Sequence, residues 1–437
     1  HSQKRPPASY PDLDSELEKE EMKLGIRLDP EQKKAVFTAL NANVCIITGG
    51  PGTGKTSIQK AILDLYQKFH PNRQITCCAP TGRAARRMEQ STGFPASTVH
   101  KALGLLAGED GTYNEPSGLD ADLVLVDEVS MLDLYLAKHL LSALPNRGQL
   151  ILIGDADQLP SVGPGAVLSE MIESGVIPVV RLDRVHRQNA GSLIALNAKR
   201  IRHGILSLDE GDNFQIRESA DLTISAEIIE KLYLQEADKY GVDNVALLSP
   251  FRQKTDTGVH ALNKRIRDKI NPSFPNKAEV KAGDQVFRLG DRVMQMKNHK
   301  DVSNGDIGYI TDIYEDSGDT MIKVDFGDGR TVEYNTSEVR MLDLGYASTI
   351  HKSQGGEYRS VIINLQCAHY HMLIRPLIYT AITRAKERVI IVGERRALCI
   401  AIKRNSLNMQ GRNASQKSQK QRCAMLAERL RACVGKE

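Results

Sequence analysis

Hydrophobic residues along the chain fall into short continuous runs, separated by stretches with a helical repeat. The runs lack the polar alternation of half-exposed strands, so they predict strands buried on both faces of a parallel sheet between helices. Five runs lie between residues 28 and 200 and three more follow residue 245, at 44–47, 75–78, 123–126, 150–153, 179–182, 245–248, 361–363 and 389–392. Two α/β domains are therefore predicted.

The pattern changes between residues 281 and 345. Short alternating strands there are punctuated by turn sequences at 303–306, 316–319 and 327–329, which predict a small antiparallel barrel. A shorter polar, glycine-containing stretch predicts a hairpin near 105–122. We expect the following organisation: an acidic segment at 1–27, a first domain at 28–190, a second at 191–280 and 346–402, the β insert at 281–345 and a basic tail at 403–437.

Length and composition indicate an ordinary globular protein. The chain has 437 residues, of which 41% are hydrophobic, and no run approaches the ~20 apolar residues needed to cross a bilayer. Seven cysteines without a C-x-x-C pair argue against a disulfide framework and a zinc cluster. Since no secretory signal is visible, we expect a reducing, cytoplasmic setting and no membrane partner.

Charge is unevenly distributed. The net charge of +4 combines nine Lys and Arg against two acids in residues 403–437 with a slight negative excess elsewhere. The tail is interpreted as a solvated linker or as a nonspecific phosphate-binding arm. Six acids between Asp12 and Glu21 predict an acidic helix or linker at a domain edge. Because the chain opens with His1, we expect that it lacks an N-terminal region.

A phosphate-binding loop follows the first predicted strand. Residues 49–56 read Gly-Gly-Pro-Gly-Thr-Gly-Lys-Thr and open a helix, which is the context that a P-loop requires. Backbone N–H groups of such a loop wrap phosphates, a lysine meets the β and γ oxygens, and a hydroxyl binds Mg²⁺. The predicted ATP-binding residues are Gly50, Pro51, Gly52, Thr53, Gly54, Lys55 and Thr56.

A pair of acids completes this chemistry. Asp127 and Glu128 follow an apolar strand, where Asp127 would hold Mg²⁺ with Thr56 and Glu128 would polarise the attacking water. Nucleoside triphosphate hydrolysis is therefore predicted. The pair does not identify what hydrolysis drives, because P-loops serve kinases, GTPases, transporters and motors alike.

Further segments between about residues 28 and 394 resemble the RecD-like branch of superfamily 1 DNA helicases. They read LDPEQK at 28–33, APTGRAARRM at 79–88, STVHKAL at 97–103, GDADQLPSVGPG at 154–165, RVHRQ at 184–188, YASTIHKSQGGE at 346–357 and YTAITRAK at 379–386. The resemblance implies two RecA-like domains, with a small SH3-like barrel inserted in the second.

The resemblance also implies roles around the nucleotide. Gln32 would read the adenine edge, Gln158 would sense the γ-phosphate, and Glu357 would face the ribose. Arg187 and Arg384 would reach the γ-phosphate and make hydrolysis depend on domain closure. Two positions depart from the family: Arg375-Pro376 stands where Arg-Asn is common, and Val185-His186 where an aliphatic-aromatic pair is usual.

Single-stranded DNA is the partner that the resemblance implies. Its expected contacts are Thr81, Arg83, Thr98, His100, Pro160, Phe251, Arg252, Thr349, His351 and Ser353. Helicases moving 3′ to 5′ typically continue the Gln158 segment with aromatic residues, whereas this chain has Pro160, Val162 and Pro164. That departure favours 5′-to-3′ movement.

We therefore expect an ATP- and Mg²⁺-dependent 5′-to-3′ DNA helicase or translocase acting on single strands and on junctions of single- and double-stranded DNA. Three alternatives stay open. The chain is a motor subunit or fragment of a helicase-nuclease or relaxase, an ATP-gated DNA clamp without processive unwinding, or an RNA helicase of the same superfamily. Helicase-nuclease subunits or a single-strand-binding protein are the protein partners considered.

Overall fold

The computed structural model describes residues 10, 12–105, 114–186, 192–252, 255–316, 318–405 and 426–433. The chain divides into two compact units, His1–Ala190 with Met409–Glu437, and Gly191–Asn408. We call them the first and second units.

A six-stranded parallel sheet forms the centre of the first unit. Its spatial order is β3-β2-β4-β5-β1-β6. The strands are β1 Val44–Gly49, β2 Ile75–Ala79, β3 Ala96–Thr98, β4 Leu123–Val126, β5 Gln149–Gly154 and β6 Val179–Leu182. The helices are α1 Leu13–Leu24, α2 Pro30–Asn41, α3 Lys55–Phe69, α4 Gly82–Thr92, α5 Val99–Ala102, α6 Leu134–Ala143 and α7 Val167–Ser174, with a short 3-10 turn at Val129–Met131.

Both faces of this sheet are covered. Consecutive residues of a strand point to opposite faces, so Ile46 packs in one core and Ile47 in the other. Val124 and Leu125 divide in the same way. The continuous apolar runs in the sequence therefore have the expected cause, and the predicted parallel α/β architecture is confirmed.

The acidic segment near the start is a helix rather than a linker. In α1, Leu13 and Leu17 are buried in the core of the first unit, and Lys68 of α3 pairs with Glu16. Of the hairpin expected near 105–122, residues 106–113 lie outside the described residues, and 114–122 contain no strand.

Part of the basic tail also packs on the first unit. Residues 426–433 are helical, Ala427 is buried, and Leu430 lies against one core of the unit. Arg431 Nε donates to the carbonyl of Ser174 at 3.2 Å, at the end of α7. This stretch is a docked helix, whereas the tail residues 406–425 and 434–437 lie outside the described residues.

The second unit combines a parallel sheet, in the order β16-β8-β17-β18-β7, with antiparallel strands. Its strands are β7 Phe214–Glu218, β8 Val245–Ser249, β9 Glu279–Ala282, β10 Gln285–Arg288, β11 Arg292–Gln295, β12 Ile307–Asp316, β13 Asp319–Asp325, β14 Thr331–Tyr334, β15 Leu342–Leu344, β16 Ala347–Thr349, β17 Tyr358–Leu365 and β18 Ala385–Gly393. The helices are α8 Leu193–Arg202, α9 Leu222–Tyr240, α10 Val259–Ile270, α11 Arg375–Thr383 and α12 Arg395–Lys403, with 3-10 turns at Val242–Asn244, Glu338–Met341, His351–Ser353 and Cys367–Met372.

The insert is an SH3-like antiparallel sheet, ordered β14-β13-β12-β11-β15, beside the ribbon of β9 and β10. It shares a core with the parallel sheet, because Phe287 and Val293 pack in the same cluster as Leu247 and Ile362. Arg292, one of the cations in the insert, is buried and its Nε donates to Asp243 at 3.2 Å. This arginine joins the insert to the rest of the second unit.

No helix within the described ranges is both long and apolar enough to cross a membrane.

Candidate nucleotide and nucleic-acid sites

The predicted site residues of the first unit gather at one edge of its sheet. Because all six strands are parallel, the segments that follow them leave from the same edge. Those segments include the P-loop after β1, Thr81 after β2, Asp127 after β4 and Gln158 after β5. Ala156 N donates to Thr48 Oγ1 at 3.2 Å, which joins the ends of β5 and β1 directly.

The P-loop is shaped by its own hydrogen bonds. Thr53 Oγ1 donates to the Gly50 carbonyl at 2.8 Å, and Lys55 Nζ donates to the carbonyls of Gly49 and Gly50 at 2.6 and 3.0 Å. Gly54 has φ +83°, and a Cβ there would lie 2.3 Å from Gln32 Nε2. Glycine is therefore required at this position both by conformation and by space.

Gln32 is held between the start of α2 and the P-loop. Asp29 Oδ1 accepts from Gln32 N at 2.8 Å while Gln32 Oε1 accepts from Asp29 N at 2.9 Å, which is a reciprocal capping box. Gln32 Nε2 donates to the Thr53 carbonyl at 3.0 Å. The predicted adenine-reading residue is thus joined to the phosphate-binding loop.

Two carboxylates, those of half-buried Asp127 and buried Asp155, lie in the electrostatic field of Lys55. Burial raises the pKa of Asp127, and the adjacent Glu128 carboxylate raises it further, while Lys55 opposes the shift. Burial likewise raises the pKa of Asp155, with Lys55 again opposing. Glu128 has a left-handed backbone, φ 51°, an uncommon conformation for a residue other than glycine that is often found at functional sites.

Gln158 lies close to these acids. It is 6% exposed and its Nε2 donates to Asp155 Oδ2 at 3.1 Å. Its Oε1 is buried and accepts no hydrogen bond from the described residues. This oxygen is available to a group that enters the site.

The residues of the first unit that we expected at DNA have mixed surroundings. Thr81 and Thr98 cap α4 and α5, accepting from Ala84 N at 3.3 Å and Lys101 N at 3.1 Å. Arg83 is partly buried on the first turn of α4, and burial lowers the pKa of His100. Pro160 and Val162 are exposed, Val162 at 86%.

In the second unit, the nucleotide candidates lie at the amino ends of the central strands. Glu357 precedes β17 and pairs with Lys386 at 3.3 Å, and Arg384 precedes β18. Arg384 is buried, and its Nη1 donates to the Gly356 carbonyl at 3.1 Å. Glu357 and Arg384 therefore belong to one cluster, whereas Arg187 lies outside the described residues.

The DNA candidates of the second unit follow the carboxyl ends of β8 and β16. The Phe251 ring packs edge to face on His369, with centroids 5.0 Å apart. Burial lowers the pKa of His351. Ser353 is fully buried and its hydroxyl donates to the Ile350 carbonyl at 2.7 Å. Ser353 therefore stabilises the turn locally, and its contact with DNA stays a prediction.

A lysine that we did not predict lies beside these residues. A small pocket between the parallel sheet and the insert is lined by Arg252, Asp343, Thr349 and Lys352 together with Met296. Lys352 Nζ contacts Met296 Sδ at 2.8 Å, while Arg252 Nη2 donates to Asp343 Oδ2 at 3.0 Å. Burial, with the charge of Arg252, lowers the pKa of Lys352 to about 8.

Three family models match separate parts of the chain. Residues 32–164 match the AAA domain model, residues 262–326 match the SH3 domain of the ATP-dependent RecD-like DNA helicases, and residues 344–392 match the C-terminal domain of UvrD-like helicases. The chain belongs to the RecD-like superfamily 1 helicases.

Named relatives agree with this assignment. The RecD-like chain is 34% identical over 386 residues to the ATP-dependent RecD2 DNA helicase of Deinococcus radiodurans, covering 86% of this chain and 50% of that protein. It is 29% identical over 433 residues to the RecBCD enzyme subunit RecD of Mycobacterium tuberculosis, covering 87% and 72%. The chain thus spans about half the length of the first relative.

Solved structures support the fold. A Bacteroides Pif1 helicase in complex with ADP-AlF3 and single-stranded DNA aligns with a TM-score of 0.53 at 19% identity, covering 84% of the RecD-like chain and 92% of the other. A Pif1 helicase from a study of unwinding at forked double-stranded DNA aligns with a TM-score of 0.52 and the same identity and coverage.

Two contacts, those of Lys352 and His186, could not be predicted from the sequence. Lys352 stands between His351 and Ser353 in a segment we had assigned to DNA, but its proximity to Arg252 depends on the pairing of β8 with β16. His186 was notable only as a departure from the family. In the structure its Nε2 lies 2.6 Å from Asp29 Oδ2.

Proposed function

We propose that the RecD-like chain is an ATP-dependent DNA helicase or translocase that moves 5′ to 3′ on single-stranded DNA. The observation that carries this proposal is the meeting of the P-loop, Asp127 and Gln158 at one sheet edge in a chain with the RecD-like SH3 match. The proposed setting is the cytoplasm, which agrees with free cysteines among the described residues.

ATP hydrolysis in the first unit would use residues already close together. Backbone N–H groups from Gly50 to Gly54 would wrap the phosphates, and Lys55 would exchange its two carbonyl partners for phosphate oxygens. Gln158 would present its unpartnered Oε1 to the attacking water, and Glu128 would accept a proton from that water.

A magnesium ion fits the donor set of this site. Asp127 is a half-buried carboxylate at the end of β4, and Thr56 supplies a hydroxyl at the start of α3, so both offer the oxygen ligands that Mg²⁺ prefers. Thr56 and Asp127 would hold the ion. When bound, it would neutralise charge on the β and γ phosphates.

Two arginines and a glutamate complete the proposed nucleotide chemistry. Arg187 and Arg384 would stabilise negative charge on the γ-phosphate, and Glu357 would bind the ribose, as the resemblance implies. Burial and carbonyl contacts hold the Arg384 guanidinium in one orientation, which suits a group acting on a transition state.

DNA binding is proposed to rest mainly on phosphate contacts. Arg252 and Lys352 bring two cations beside Thr349, and phosphate contacts supply much of the affinity of nucleic-acid-binding proteins. The Bacteroides Pif1 relative was solved with single-stranded DNA. The full set of proposed contacts is Thr81, Arg83, Thr98, His100, Pro160, Phe251, Arg252, Thr349, His351, Lys352 and Ser353.

The 5′-to-3′ direction rests on the exposed loop after Gln158. Pro160 and Val162 stand there without an aromatic platform, so base stacking would contribute less than backbone contacts.

A second candidate function is that of a motor subunit within a helicase-nuclease complex. It is favoured by the relatives named as RecBCD enzyme subunit RecD, which the chain matches over most of its length. In that role the same ATPase would serve a nuclease on another chain.

Strand separation on duplexes with a 5′ or a 3′ overhang, in DNA and RNA, tests the proposal. We expect ATP-dependent unwinding of DNA with a 5′ overhang and no activity of Lys55→Ala. Preference for a 3′ overhang contradicts the direction, and preference for RNA contradicts the substrate. DNA-stimulated hydrolysis without unwinding favours a clamp or a motor that needs a partner.

A further inference from the structure

The segment that leads the chain away from β6 is bound to the nucleotide side of the first unit. Asp183 N donates to Glu31 Oε2 at 3.1 Å, and His186 N donates to the Gly52 carbonyl at 2.8 Å. The third contact joins His186 Nε2 to Asp29 Oδ2 at 2.6 Å. Main chain and side chain of His186 thus contact two different parts of the candidate ATP site.

Asp29 contacts both His186 and Gln32. Its Oδ2 meets His186 while its Oδ1 accepts from Gln32 N, so both carboxylate oxygens are used. Gln32 Nε2 in turn donates to the carbonyl of Thr53 in the P-loop. These hydrogen bonds form a closed ring. It joins His186 to Asp29, Asp29 to Gln32, Gln32 to the P-loop, and Gly52 of the P-loop back to His186.

The side-chain contact requires a hydrogen-bonding nitrogen at position 186. Asp29 is 6% exposed and His186 31% exposed, so the bond is partly shielded from water. A phenyl ring at position 186 would fill similar space but offers no hydrogen-bonding nitrogen.

We propose that His186 is a positioning residue that sets Asp29 and Gln32 for recognition of the adenine base and fastens the exit segment of the first unit to the P-loop. This inference rests on the proposed ATP site, because Gln32 is assigned to adenine by resemblance. It predicts that losing the imidazole contact weakens binding of the base far more than binding of the triphosphate.

The test compares ATP with inorganic tripolyphosphate, which lacks the base. For His186→Phe we expect the half-saturating ATP concentration of hydrolysis to rise about tenfold, the effect of losing one hydrogen bond to a charged group. The inhibition constant of tripolyphosphate should change less than about twofold, since the phosphate-binding loop keeps its own bonds. His186→Gln, which retains an N–H donor, should restore most of the ATP affinity.

Asp29→Asn and Lys55→Ala separate the possible failures. Asparagine still caps a helix, so Asp29→Asn should fold and show the same loss of ATP affinity as His186→Phe. The double variant should lose no more ATP affinity than either single variant. An equal loss for ATP and tripolyphosphate in His186→Phe, or no loss for either, overturns the inference. Hydrolysis by Lys55→Ala at the parent rate contradicts the proposed ATP site itself.

Discussion

Lys352 offers a prediction in which function and stability change in opposite directions. Its side chain is half-buried, with the ammonium group beside Met296, Arg252 as a second cation and Asp343 as the nearby acid. Substitution with methionine removes the charge and keeps a flexible side chain of similar length. We expect Lys352→Met to bind single-stranded DNA more weakly and to unfold at a higher temperature.

The magnitude follows from the pKa of Lys352. A fall from the ordinary 10.5 to about 8 means that the folded protein holds the charged form less readily than the unfolded chain does. The fall corresponds to at most about 3 kcal/mol at pH 7, and partial exposure reduces it to ~1–2 kcal/mol. For a unit of this size, that is a rise of a few degrees in Tm. The difference should vanish above about pH 10.5, where lysine is neutral in both states.

DNA binding has the opposite dependence. Only the protonated lysine attracts a phosphate, so its contribution is present below pH 8 and is lost as the pH rises through about 8. A hydrogen bond between charged groups contributes ~1.5–3 kcal/mol, so Lys352→Met should weaken binding at pH 7 by tenfold or more. Fluorescence anisotropy with a labelled oligonucleotide at pH 7 and pH 9.5, at constant salt, measures the loss of DNA affinity and its dependence on pH.

Lys281→Met is the matched control, because Lys281 is an exposed lysine on β9 of the same unit. The control should alter neither Tm nor the pH dependence. Lys352→Arg, which stays charged at pH 9.5, should flatten the pH dependence. If Lys352→Met lowers the Tm and leaves DNA affinity intact, the lysine is structural and the proposed phosphate contact is wrong.

Three further predictions concern the fold and the ATP site. Leu17→Ala should lower the free energy of unfolding by ~2–5 kcal/mol in denaturant titrations, because Leu17 is 1% exposed in the core. Glu18→Ala, on the exposed face of α1, is the control and should change that free energy by less than ~0.5 kcal/mol. Glu128→Gln should lower kcat by ~10²–10⁴ while fluorescent nucleotide still binds, and tight binding with parent-like turnover would remove Glu128 from its role. Arg384→Ala should lower kcat by about 10³, with Arg359→Ala, which removes an exposed arginine of β17, as control. Equal losses in the two variants would contradict a role at the γ-phosphate.

The parallel sheets were predictable because burial on both faces of a strand leaves a recognisable pattern in the sequence. Strands such as β4 and β5, covered on both faces, require apolar residues at every position. The strands that the sequence did not indicate are short or partly exposed: β3 has three half-buried residues, and β7 buries only Phe214 and Ile216. Their pairing comes from the sheet beside them rather than from their own composition.

The tail and the acidic segment were harder to interpret for a related reason. The charged residues of a helix lie on its solvent-exposed face. They outnumber the few apolar residues by which the helix packs on the protein, so the packing is hard to predict from the sequence. Leu13 and Leu17 are two residues among six acids, yet their burial makes α1 part of the first unit. Leu430 has the same relation to the basic tail.

Site residues differ from strands in what fixes them. A P-loop acts through main-chain groups and a local turn, so its sequence carries nearly all the information needed to predict it. Lys352 and His186 act through partners that are distant along the chain, Met296 in one case and Asp29 in the other. No local pattern specifies such pairs, since each depends on which strands and loops the fold brings together. For His186, the departure of Val185-His186 from the family pattern is the one signal that the sequence offers, and for Lys352 there is none.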